Sequence, residues 1–173
     1  MFENILLNPS SKSVVIDPFE KSLTHGDSYD TFKQNLTEHL DKITILKGFS
    51  DDILPTLEKE SFDIIYIDGD HTAEAAFKDG VNSFPLLKKD GILIFDDYLW
   101  HGTNYGMHFH ANVGNWNNPF TGVNCFYFQY KEKIQILENF TPPVKIVSPR
   151  SVYNDNNILN NINYQFICKK IQN

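Results

Sequence analysis

Four short apolar runs, each closed by a polar or acidic stop and the first three each followed by a helical pattern, constrain this chain more than any other feature. VVI at Val14–Ile16 stops at Asp17 and Pro18, and ITIL at Ile43–Leu46 stops before Gly48. IIYI at Ile64–Ile67 stops at Asp68, and ILIF at Ile92–Phe95 is opened by Gly91 and stops at Asp96 and Asp97. Between the runs, Tyr29, Phe32, Leu36 and Leu40, with Asp27 or Ser28 as N-cap, put an apolar stripe on one helix face. A short helix through Ile53, Leu54 and Leu57 follows. Ala73, Ala76, Phe77, Val81 and Phe84 trace another, broken near Pro85. Strands alternating with helices predict an α/β fold with a mainly parallel sheet. The unbroken run at Ile64–Ile67 predicts a strand covered on both faces.

The pattern changes after Tyr98, where fourteen of the eighteen asparagines lie. The segment Leu99–Pro119 reads as a long surface loop, of the kind that is functional or mobile inside a compact domain. Phe120, Val123, Tyr127, Tyr130, Ile134 and Leu137 then recur at helical spacing, with Pro119 suited to a first turn. VKIV at Val144–Val147 and YQFICKKI at Tyr164–Ile171 predict a closing β-pair. With no repeat and no linker, 173 residues are expected to form a single domain.

Charge and composition narrow the partners. Twenty-two acidic residues against fifteen basic leave a net charge of -7, which repels phosphate and argues against nucleic acid. No apolar run approaches the roughly 20 residues needed to cross a bilayer, so no membrane partner is expected. The opening MFENILLNPSSK lacks a signal-peptide pattern. Cys125 and Cys168 are too few for a disulfide framework and fit reduced thiols in the cytoplasm. The sequons at Asn35 and Asn139 therefore carry little weight.

The acids carry the functional argument. Asp17, Asp68 with Asp70, and Asp96 with Asp97 each stand directly after an apolar strand, and open α/β sheets bind ligands outside the carboxyl ends of their strands. If the strands ending in Asp68 and Asp96 are neighbours, their carboxylates can jointly hold a hard cation such as Mg²⁺. The blander reading is that Asp cuts strands and caps helices, as Asp70 or Thr72 does before Ala73. Three strands with acids doubled on two of them favour a site.

FDIIYIDGDHTAEAAFKD, followed after one helix by LLKKDGILIFDDYLW, resembles the class I S-adenosylmethionine-dependent methyltransferases. The likeness is greatest to metal-dependent sugar and natural-product O-methyltransferases, with their IDGDH-type fourth and DDY-type fifth strands. VVIDPFE is similar to the family's second strand, ITILKGFS to its third and YQFICKKI to its closing antiparallel strand. The resemblance implies a Rossmann-like sheet, S-adenosylmethionine as cofactor, a small-molecule acceptor hydroxyl and assistance from Mg²⁺. It implies Asp17 at the cofactor's ribose, and Gly48, Phe49 and Ser50 bordering adenine. Asp68, Asp96 and Asp97 match the metal ligands, with Asp68 also placed beside the cofactor and in the chemistry, and His71 as a base near the acceptor. The family's first strand and Gly-rich loop have no counterpart, since the chain contains no GxG. It is therefore expected to be an N-terminally truncated domain whose missing strand belongs between those ending at Asp17 and Asp68. A strand from another chain filling that place would make a homo-oligomer.

Other readings compete. Asp68, Asp70 and Thr72 spell DxDxT, a phosphatase nucleophile motif, but a single helix before the next acids leaves no room for that family's intervening strands. A methyltransferase-like remnant kept for binding or assembly is the non-enzymatic alternative. His101, His108 and His110 form a transition-metal candidate, and Trp100, Tyr105, Phe109 and Trp116 a candidate lid; exposed histidines and an apolar cluster pinning the loop are the plainer readings.

Overall fold

The computed structural model describes residues 8–19, 28–98, 117–137 and 165–172. The chain divides into two compact units, Met1–Leu57 and Glu58–Asn173.

In the first unit, β1 (Ser13–Asp17) lies parallel to β2 (Ile43–Lys47), with Val14 opposite Thr44 and Asp17 opposite Lys47. Helix α1 (Ser28–Asn35) ends earlier than the Tyr29-to-Leu40 stripe predicts. The Thr37 hydroxyl donates to the carbonyls of Lys33 and Gln34 at 3.1 and 2.8 Å, taking carbonyls that a continuing helix would use. The chain tightens there into a 3-10 turn, Thr37–Lys42. Among the described residues of this unit Phe19 is the buried ring, edge-on to Tyr29 at 5.0 Å and tilted against Phe32 at 5.5 Å. After β2 come α2 (Ser50–Ile53) and a 3-10 turn, Leu54–Thr56, so the short helix stops one residue before Leu57.

In the second unit, four strands run in the order β3 (Phe62–Ile67), β4 (Leu87–Phe95), β6 (Phe166–Lys170), β5 (Ile134–Ile136). β3 and β4 are parallel, and β6 is antiparallel to both β4 and β5. The fold is thus α/β with parallel strand pairs and an antiparallel C-terminal strand, as expected. Helix α3 (Ala73–Ser83) links β3 to β4. Thr72 caps it by accepting from the Ala75 N–H at 3.2 Å, the cap expected from the sequence.

Three sequence expectations change here, and one falls in part outside the described residues. β4 begins at Leu87 and not after Gly91, because a register shift lets Leu87 pair with Phe62 ahead of the Ile92-to-Ile64 pairing, with Asp90 at φ +67°. Helix α4 (Pro119–Tyr130) ends before Ile134, which joins β5 opposite Lys170, and Leu137, which lies just beyond that strand. The Lys131–Lys133 turn separates two elements whose apolar residues fall by coincidence on one helical period. β6 finds its partners in β4 and β5, while the VKIV segment lies outside the described residues. Ile64 is 41% exposed, so β3 is not covered on both faces; Ile65 and Ile67, on its other face, pack on the core.

That core gathers Phe84, Leu87, Leu93, Phe95, Tyr98, Phe126 and Phe166 under α3 and α4. Gly122 lets the helices touch: a Cβ there would collide with the Ala73 carbonyl. The buried Lys170 ammonium donates to the Leu87 carbonyl at 2.8 Å and the Phe84 carbonyl at 3.4 Å, tying β6 to the head of β4, and burial pushes its pKa down. The loop expected at Leu99–Pro119 lies, through Trp116, outside the described residues, as do His101, His108, His110, Trp100, Tyr105 and Phe109. None of the described helices is long and apolar enough to cross a membrane.

Candidate active site

The two acid-ended strands of the second unit are neighbours, and the ladder continues one step past them: the Asp96 N–H donates to the Ile67 carbonyl at 2.9 Å. Asp68 and Asp96 are thereby delivered to the same end of adjacent parallel strands. Asp97 follows with φ +48°, in the left-handed region that Asp tolerates better than most side chains. Tyr98 anchors that turn, its ring fully buried against Phe120 and Phe166 and its hydroxyl accepting from the Asn124 amide at 3.2 Å. Asp70 accepts from the Thr72 N–H at 2.7 Å, closing the turn into α3.

His71 meets Asp97, with its Nε2 2.8 Å from Asp97 Oδ2. One oxygen from each of Asp68 and Asp97 and a ring nitrogen of His71 all lie within 4.8 Å of one another, a spacing from which a metal ion can be held. Burial, then the negative charges of Asp96 and Asp97, raise the pKa of Asp68, and His71 partly offsets them. Asp96 is engaged elsewhere. The Tyr66 hydroxyl donates to its Oδ2, and the Gln165 amide donates to its Oδ1 and to the Tyr66 oxygen, both at 3.3 Å. Burial and that bond to Asp96 raise the pKa of Tyr66, keeping the phenol protonated as a donor. A small recess opens here, lined by Asp68, Asp70, His71, Asp96, Pro119 and Val123 among others.

The sequence-derived set is therefore brought together in part: Asp68, His71 and Asp97 converge, and Asp96 turns toward Tyr66 and Gln165. Tyr66 stands two residues before Asp68 and so shares its side of the strand, a period-2 signal that was legible. Gln165 gave no signal, because it reaches Asp96 across 69 residues of sequence.

In the first unit, Asp17 ends β1 and its Oδ1 accepts from the Phe19 N–H at 2.5 Å. The Gly48 N–H donates to the Asp17 carbonyl at 3.1 Å, placing both at one end of the sheet, with Gly48 at φ +154°. Phe49 is 57% exposed and not core, and Ser50 opens α2.

This fold is that of the class I S-adenosylmethionine-dependent methyltransferases. The chain belongs to the methyltransferase-domain family, whose model matches residues 4–98. That assignment displaces the phosphatase reading of the DxDxT string. No curated protein matches the sequence. Among solved structures, a Corynebacterium glutamicum protein is similar with a TM-score of 0.55 and 13% identity, over 94% of this chain and 62% of its own. A Podospora anserina methyltransferase bound to S-adenosylhomocysteine gives 0.50 and 20%, over 73% and 55%. A Staphylococcus aureus protein assigned to the caffeoyl-CoA O-methyltransferases gives 0.51 and 18%, over 92% and 75%. The chain thus spans less than two thirds of the first two proteins' length.

Proposed function

We propose that this chain transfers a methyl group from S-adenosylmethionine to a hydroxyl of a small molecule or sugar, with help from a divalent ion. The convergence of Asp68, His71 and Asp97 beside a cleft at the strand ends carries this reading. The S-adenosylhomocysteine bound by the Podospora methyltransferase supports the cofactor, and the Staphylococcus protein's assignment supports oxygen as acceptor.

Asp17 is assigned to the ribose hydroxyls, which its carboxylate can accept from, and Gly48, exposed Phe49 and Ser50 to the border of adenine. When bound, the cofactor supplies a sulfonium methyl: an O–CH₃ bond forms as the S–CH₃ bond breaks, and the electron pair stays on sulfur as a neutral thioether. Asp68, Asp96 and Asp97 are the carboxylates placed to attract a dication, a set whose oxygen chemistry fits Mg²⁺ and whose partner His71 adds a nitrogen. Such an ion, when held there, lowers the pKa of a hydroxyl beside it. Asp68 and His71 are the groups on hand to take the hydroxyl's proton. The remaining task of the cleft is alignment of oxygen, methyl and sulfur.

We read residues 1–173 as one methyltransferase-like domain. The division of the described strands into a two-stranded and a four-stranded sheet supports the reading that the family's first strand is not among them. A strand lent by a second copy would make a homo-oligomer. Free thiols at Cys125 and Cys168 support a reducing, cytoplasmic setting. Titration calorimetry with S-adenosylmethionine and S-adenosylhomocysteine, followed by labelled-methyl transfer to a panel of hydroxylated acceptors, tests the proposal. Saturable heat and label on oxygen are expected. Folded protein giving no heat with either compound would instead favour a binding or assembly remnant.

A further inference from the structure

We propose that Tyr66 and Gln165 hold Asp96 out of the ion's coordination, so that a bound dication is taken by Asp68, His71 and Asp97, and that this mixed set selects a later first-row ion such as Co²⁺ over Mg²⁺. The inference rests on the ion-assisted reading above and revises its ligand set, with His71 in place of Asp96 and the preference moved away from Mg²⁺.

The grip on Asp96 follows from topology. Asp96 leaves the end of β4, the strand between β3 and β6. β3 is parallel to β4 and delivers Tyr66 to that end. β6 is antiparallel, so its beginning, with Gln165 just before it, comes to the same end. Each carboxylate oxygen of Asp96 therefore meets a donor from a flanking strand: Oδ2 from the Tyr66 hydroxyl, Oδ1 from the Gln165 amide at 3.3 Å. Gln165 also donates to the Tyr66 oxygen at 3.3 Å, so the two donors brace each other. The close grouping of ligand atoms among the described residues takes in Asp68, His71 and Asp97 and leaves Asp96 out.

The three ligand atoms of the remaining set lie within 4.8 Å of one another, close enough for an ion to draw them in. Adjacent donors on an octahedral ion with bonds near 2.1 Å stand about 3.0 Å apart. His71 Nε2 and Asp97 Oδ2 are 2.8 Å apart. Replacing a carboxylate by an imidazole changes which ion is preferred, since Mg²⁺ favours oxygen and holds its waters, whereas Fe²⁺, Co²⁺, Ni²⁺ and Zn²⁺ accept nitrogen well. His71 then serves the ion, and taking the acceptor's proton falls to Asp68 or to water. Tyr66 and Gln165 are positioning residues, acting through Asp96.

Calorimetric titration of the 173-residue chain with Co²⁺ and with Mg²⁺, together with the visible absorption of bound Co²⁺, tests this. The expectation is that Co²⁺ binds at least about tenfold more tightly than Mg²⁺, that Asp96→Asn keeps Co²⁺ affinity within about twofold, and that His71→Ala and Asp97→Asn each lose about 10- to 100-fold. His71→Ala also shifts the Co²⁺ absorption bands, which loss of a purely structural residue would not do. Tyr66→Phe frees an Asp96 oxygen and narrows the Co²⁺ preference by strengthening Mg²⁺ binding, with ion-free thermal melts confirming each variant's fold. If Asp96→Asn loses as much affinity as Asp97→Asn, or His71→Ala leaves Co²⁺ binding and its spectrum unchanged, the assignment is wrong. If neither ion binds the wild-type chain, the ion set falls altogether, while titration with S-adenosylmethionine still decides separately whether the chain is a methyltransferase.

Discussion

The strand ends of the two units are built differently from the same ingredients. At the end of β1, the Asp17 carboxylate closes a turn two residues away, at Phe19, and Gly48 leans on its backbone. At the ends of β3 and β4, Asp96 and Asp97 are bonded to side chains 30, 69 and 26 residues away. A carboxylate that serves its own turn is explained by local chain geometry. Carboxylates brought together over such separations cost loop closure and mutual repulsion, which is why the proposed ion site is placed there and not at Asp17.

The largest expected effect sharpens the contrast between the cores beneath these ends. Phe126 is fully buried, against Phe84, Phe95 and Tyr130, and Phe126→Ala should cost about 3–5 kcal/mol in denaturant unfolding. Phe19 has two ring neighbours on a half-buried helix, and Phe19→Ala should cost about 2 kcal/mol. Hydrogen exchange locates each loss: Phe126→Ala should loosen β3, β4 and β6, and Phe19→Ala β1 and β2. Equal loosening of all strands by either change would show that the two cores respond as one.

Next comes the helix contact that holds the charged end of the second unit. Gly122 admits the Ala73 carbonyl where any Cβ would stand, and Ala76 Cβ at 3.0 Å blocks the sideways escape. Gly122→Ala should cost about 1–3 kcal/mol by forcing α3 and α4 apart. A melting temperature unchanged in this variant would mean that the contact is slack and that His71, which precedes α3, is placed by its loop alone.

Much of this was legible in the sequence where the forces are local. The strands at VVI, ITIL and IIYI, the Thr72 cap and the acidic stops depend on alternation, β-branching and turn chemistry within a few residues. Ile134 and Leu137 were misplaced because a helix, a turn and a strand in succession can mimic one helical period. The start of β4 was missed because Lys88, Lys89 and Asp90 look like a loop until Lys88 pairs with Asp63 and Lys169 with Asp90 across the sheet, at 2.9 and 2.7 Å. The candidate ligands Asp68 and Asp97 were readable as strand ends, whereas the turning aside of Asp96 depends on Gln165, a polar residue with no pattern around it.

Asp68 offers a smaller effect that separates a charged site from a capping acid. Its pKa lies above the ordinary 3.8 because burial and the charges of Asp96 and Asp97 disfavour its ionised form. The folded state then holds this proton more tightly than the unfolded chain does, so folding is weakened as pH rises from 3.8 through the raised value and stays weakened above it. Asp68→Asn should therefore melt higher than wild type at neutral pH in the absence of divalent ions, and the gain should shrink as pH falls below the ordinary carboxylate range. Adding a dication that binds should reverse the order, since the wild type gains a ligand's stabilisation that the variant lacks. A variant that melts lower than wild type at neutral pH without ions would mean that the carboxylate is held by bonds and not crowded by charge.

The smallest effect on stability tests the other strand end. Phe49 is 57% exposed, so Phe49→Ala should change unfolding free energy by no more than about 0.5 kcal/mol. An exposed aromatic with so little structural duty, one residue past the Gly48 turn, is placed for stacking on a planar ligand. The same substitution should therefore weaken S-adenosylmethionine binding, by about tenfold if ring stacking contributes near 1.4 kcal/mol, while leaving the ion titrations of the second unit unchanged. Loss of stability together with unchanged cofactor affinity would invert the comparison, making Phe49 a packing residue and leaving Asp17 a turn-forming acid and nothing more.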